Sequence, residues 1–134
     1  MNMSDVYNIL MTNFGVAPPE IADIKYCPKP LEWYMKSHRW FRGFEILQYV
    51  PEGNDCEDFY RTQREEYQRA HRKSSDVARG GLPVFGASVM LESGALHCVA
   101  VCITDKGDAV LLERTDRSVR KVLYVKKILS IHVL

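Results

Sequence analysis

From residue 84 onward the apolar residues stop recurring at helical intervals and begin to alternate. That change of period constrains the fold most, because alternation puts successive side chains on opposite faces of a sheet. Residues 84–92, 96–104, 108–114 and 121–133 each read as a strand, and Asp105-Lys106-Gly107 reads as a hairpin turn. The first half reads differently. Ser4 is the expected N-cap of a helix whose face carries Val6, Ile9, Leu10 and Phe14, and Gly15 ends it. Pro18, Pro19, Pro28 and Pro30 then leave room for at most a short helix around Ile21 and Ile24. Residues 51–55 form a turn by composition, and a second helix follows over 55–71. Asp55, Glu57 and Asp58 lie in its first turn and Arg69, His71, Arg72 and Lys73 in its last, as the helix dipole favours. The expectation is one α+β domain spanning 1–134, with N-terminal helices packed on a C-terminal antiparallel sheet of about four strands.

With 134 residues the chain can bury a core without disulfide or metal support. A net charge of +1 gives no reason to expect a nucleic-acid or membrane partner. Neither a membrane-spanning apolar run nor a secretion signal is legible. Cys27, Cys56, Cys98 and Cys102 form no CxxC pair, a poor disulfide framework that points to a reducing compartment, hence the cytoplasm. Trp33, Tyr34, Trp40, Phe41, Phe44 and Tyr49 are expected to pack a core rather than line a groove. Arg61, Arg64, Arg69, Arg72 and Lys73, with Tyr60 and Tyr67 between them, read as a solvated helix face because Glu65 and Glu66 interrupt the basic stripe. Gly80-Gly81 is a flexible connection, not a phosphate loop. Cys56, His71, His97 and Cys98 match no zinc spacing, so no metal or cofactor is expected.

Cys56 differs from the other cysteines because it follows a turn and opens a helix. There the backbone N–H groups and the dipole stabilise a thiolate, the nucleophilic form of cysteine. His97 stands at the start of the second strand. If residues 105–107 form a three-residue loop, Thr104 lies opposite Asp108 and Val99 opposite Glu113. His97 and Glu113 then share a sheet face as diagonal neighbours, ~7–8 Å apart between backbones and within side-chain reach. Val110 and Leu112 share the other face with Cys98, Ala100 and Cys102, which are expected to be small core residues. Nucleophile, base and orienting acid are thereby available as Cys56, His97 and Glu113.

At these residues the chain resembles papain-like and transglutaminase-like cysteine enzymes. The likeness rests on Asp55-Cys56-Glu57-Asp58-Phe59 opening a helix, His97 opening a strand 41 positions later, an Asp-x-Gly turn, and a strand ending in Glu113. It is similar to small versions among phage proteins and in the C-terminal domain of a fungal agglutinin, and it spans Trp33 to the C-terminus. The resemblance implies thiolate attack on an amide or ester carbonyl, an acyl-enzyme, and hydrolysis or transfer, with the Cys56 N–H and one unidentified donor holding the oxyanion. A protein or peptide substrate is implied, in a host cytoplasm if the chain is phage-encoded. Arg114-Thr115 stands where the family usually has proline and glutamine, Leu96 where it commonly has glycine, and the nucleophile helix is unusually polar. The alternative is a non-enzymatic binding protein or inhibitor that blocks a host protein.

Overall fold

The computed structural model describes residues 1–36 except 22 and 24, then 56–115 and 118–132. The expected turn at 51–55, and Ile24, Trp40, Phe41, Phe44, Tyr49 and Asp55, lie outside the described residues. The described chain is α+β: helices α1 (Met3–Phe14), α2 (Leu31–Lys36) and α3 (Cys56–Lys73) precede a five-stranded antiparallel sheet. Its strands are β1 (Val84–Leu91), β2 (Leu96–Ile103), β3 (Ala109–Arg114), β4 (Val119–Lys121) and β5 (Val125–His132).

Helix α1 is capped by Asn2, not by Ser4. The Asn2 side chain accepts from the Asp5 N–H, and the Asp5 carboxylate accepts from the Asn2 N–H, both at 2.9 Å. This reciprocal box satisfies two of the donors that a helix start leaves open. Gly15 ends the helix in the left-handed region, at φ 69°, as expected. Asn2→Ala should cost about 1 kcal/mol in denaturant unfolding while Ser4→Ala stays close to neutral; equal effects would contradict the assignment of the cap to Asn2.

Residues 75–79 form a 3-10 turn capped by the Ser74 hydroxyl. The proline-rich segment after α1 contains no helix among the described residues. It crosses the molecule through single bridges, Tyr26 to Gly81 and Lys29 to Thr104.

The expected last strand, 121–133, is two strands, which makes the sheet five-stranded. They lie at opposite edges, in the order β4-β3-β2-β1-β5. Four inter-strand gaps span roughly 19 Å in a flat sheet, whereas the link from Lys121 to Val125 reaches only about 14 Å fully extended. The sheet must therefore curl. The Val122 N–H donates to the Leu111 carbonyl on one side of the link, and Tyr124 accepts from the Glu92 N–H on the other.

Curling separates two cores. On one face Val6 and Leu10 of α1 meet Phe85, Ala87, Val89, Val99, Val101 and Ile131. On the other, Tyr60 and Tyr67 of α3 and Tyr34 of α2 meet Val84, Ala100, Cys102 and Leu112. Tyr60 and Tyr67 thus belong to a buried face of α3, not to the solvated side expected for them. No helix among the described residues is long and apolar enough to cross a membrane.

Candidate active site

The hairpin register is the one expected: Ala100 faces Leu112 and Cys102 faces Val110 across β2 and β3. Its consequence follows. His97 and Glu113 meet, with His97 Nε2 2.6 Å from Glu113 Oε2. Glu113 is 8 % exposed, and its other oxygen accepts from Arg120 Nε at 2.5 Å. Arg120 lies directly opposite it on β4 and is its ionic partner. Burial pushes the Glu113 carboxyl upward, but the bonds from His97 and Arg120 outweigh it and hold the group below the ordinary carboxylate range. A charged Glu113 fixes the imidazole. With Nε2–H donating to the carboxylate, Nδ1 is left as the ring's acceptor.

Cys56 is the first residue of α3 and is half-buried. The first turn of a helix offers unpaired N–H groups and the positive end of the dipole. Cys56 and His97 line one cleft of about 360 Å³ beside the start of β2, together with Cys98, Ser88, Leu129 and His132. They approach it from different sides. His97 pairs with Val89 and alternates with Val99 and Val101, which places it on the α1 face. Helix α3 covers the opposite face, where Cys98, Ala100 and Cys102 lie, as the alternation anticipated. Within the described residues no hydrogen bond joins Cys56 to His97. So His97 and Glu113 are brought into contact, and Cys56 is brought to the same cleft but not into contact with them.

His132 is a cleft residue that the sequence reading did not single out. It lies opposite Gly86 on β1, and its ring stands edge-on to Tyr60, 6.2 Å between centroids. Since Gly86 alternates with Val84 and Ser88, His132 falls on the α3 face, the side of Cys56. The usable signal was Gly86 itself, an isolated glycine inside a strand, which marks a close approach by something else.

Of the other titratable groups, Cys102 is fully buried and its thiol is pushed far up by desolvation, an inert core residue. His71 is buried at the end of α3 with Nε2 2.7 Å from the Gly80 carbonyl, a structural tie. Among the described residues no group of three His, Cys, Asp or Glu side chains is arranged to hold a metal ion. Comparison with protein-family models, with curated proteins and with solved structures yields no match.

Proposed function

We propose that this chain is a small papain-like cysteine hydrolase or acyltransferase. In this reading Cys56 is the nucleophile, His97 the base and Glu113 the group that orients it. The observation that carries the reading is the shared cleft: a helix-opening thiol and an imidazole fixed by a buried carboxylate line the same cavity. His97 Nδ1 takes the Cys56 thiol proton, and the sulfur attacks an amide or ester carbonyl. The tetrahedral adduct collapses as the leaving group departs with that proton. A thioester remains, and water or an amine resolves it. In the free protein such catalytic contacts are commonly long and tighten only when substrate closes the site. Cytoplasmic placement and a phage origin belong to the same proposal.

A second reading, a binding module that blocks a host protein, draws on the exposed stripe of Met3, Tyr7 and Met11 on α1. Iodoacetamide titration over roughly pH 4 to 9, with the modified cysteine located by mass spectrometry, separates the two. The enzyme reading expects selective alkylation of Cys56 under mildly acidic conditions where ordinary thiols are silent, weakened in His97→Ala. Sluggish reaction at Cys56, unchanged by His97→Ala, would favour the binding module.

A further inference from the structure

We infer that His132 is the second oxyanion donor of this cleft, an assignment that rests on the cysteine chemistry proposed above. Attack by the Cys56 sulfur forms a C–S bond and moves the carbonyl π pair onto oxygen. That oxygen needs donors fixed in advance, and imidazole N–H groups serve as well as backbone ones. The start of α3 supplies one, the Cys56 N–H. When the adduct collapses, the pair returns to carbon, the leaving group departs with the proton that His97 carried, and His132 releases the oxygen.

The two imidazoles of the cleft are placed for different work. His97 enters from the α1 face with Nε2 committed to Glu113, which leaves Nδ1 for proton transfer. His132 enters from the α3 face, on the side of the nucleophile. An imidazole across the cleft from the base is suited to the carbonyl oxygen, not to the leaving group. An imidazole keeps an N–H in both its neutral and protonated forms.

His132 also has a built seat. A side chain on Gly86 would collide with the His132 ring and with Tyr60, so the bare glycine is what lets the imidazole approach β1 closely. Tyr60 closes the seat from α3, its ring nearly perpendicular to that of His132 at 85°. Tyr60 stands one turn after Cys56, so the helix that presents the thiol also fixes the donor. Pre-positioning of this kind is what makes an oxyanion donor effective.

The test uses p-nitrophenyl acetate on the full chain, with p-nitrophenolate release timed and the acetyl group located by mass spectrometry. His132→Ala should slow acetylation of Cys56 by about 10²–10³-fold, the usual cost of one oxyanion donor. His132→Gln, which restores an N–H, should return to within about tenfold of wild type. Alkylation of Cys56 by iodoacetamide passes through no oxyanion. Its rate and pH profile should be those of wild type in both variants, which also reports an intact fold. Wild-type acetylation in His132→Ala overturns the assignment, as does a His132→Gln variant as slow as the alanine. An altered alkylation profile overturns it too, by making His132 a group that acts on the thiol proton. Failure of the wild-type chain to acquire acetyl at Cys56 overturns the cysteine-enzyme reading and this assignment together.

Discussion

Arg114→Leu is expected to lower the stability of the fold by about 3–5 kcal/mol, the cost of removing one member of a buried ion pair. Arg114 is 7 % exposed and Glu66 is 1 % exposed, and Arg114 Nε donates to Glu66 Oε1 at 3.1 Å. Among the described residues, the other Glu66 oxygen is buried without a hydrogen-bond partner. Desolvation therefore dominates, and the Glu66 carboxyl is raised above its ordinary range even though Arg114 pulls it down. Taking Arg114 away leaves a buried carboxylate with nothing to offset its lost hydration.

The pH dependence follows from that sign. A raised carboxyl binds its proton more tightly in the folded state, so its contribution is present below the unfolded pKa and lost as pH rises through the folded one. The deficit of Arg114→Leu should be largest near neutrality and should shrink as pH falls toward about 4. Replacing both partners, Glu66→Leu with Arg114→Leu, should recover most of the loss, because apolar side chains carry no hydration to lose. Denaturant midpoints at two pH values measure all of this. A single-variant deficit under about 1 kcal/mol, or a double variant as unstable as the single, would show that the pair is not what joins α3 to β3.

The same pair explains two features that looked unrelated in the sequence. The polarity of α3 and the arginine after Glu113 are both departures from the papain-like pattern expected from the sequence. In the fold they are one device: Glu66 of α3 bonds Arg114. The Arg114 N–H donates to Gln63, Gln63 donates to the Tyr67 hydroxyl, and Tyr67 donates to the Tyr34 carbonyl. Tyr34 in turn donates its hydroxyl to Ile103 on β2. A buried polar relay thus ties α2, α3, β2 and β3 together. Glu66 was read as a break in a surface stripe because composition does not report which side of a polar helix is buried.

Local chemistry was legible where a few neighbouring residues decide the outcome. Asp105-Lys106-Gly107 fixed the turn, the turn fixed the register, and the register brought His97 to Glu113. The long-range pairing of β5 with β1 had no such signal. Val122, Leu123 and Tyr124 are as strand-prone as their neighbours, so nothing marked the link that carries the chain from β4 to β5, although Leu123 is 81 % exposed. Because that link was invisible, so was the place of His132 beside Gly86. The α1 cap was misplaced by two residues for a smaller reason: Asn2 and Ser4 are both good caps, and only the reciprocal bond with Asp5 decides between them.

Glu113→Gln should reduce Cys56 acetylation at neutral pH by about 10³–10⁴-fold with little change of shape, the scale seen when a triad acid becomes its amide. The carboxylate accepts from His97 Nε2 and from Arg120 Nε. Arg120 can only donate, so it holds the amide oxygen of the new glutamine toward itself and turns the NH₂ toward His97. Nε2 must then accept, the proton moves to Nδ1, and the nitrogen that would receive the thiol proton is already filled. The effect acts through positioning, so rate alone does not identify it. The pH profile of Cys56 alkylation should lose its mildly acidic limb in Glu113→Gln, as in His97→Ala. Adding His97→Ala to Glu113→Gln should cost almost nothing more, since residues acting as one unit are not additive. The variant should also lose part of its acid sensitivity. A carboxyl held below its ordinary range contributes stability above the unfolded pKa that disappears as pH falls through the folded one, and an amide has no such transition. If Glu113→Gln acetylates Cys56 within about threefold of wild type, the His97–Glu113 pair is a structural clamp between β2, β3 and β4. The proton of Cys56 would then have to leave by the other imidazole of the cleft.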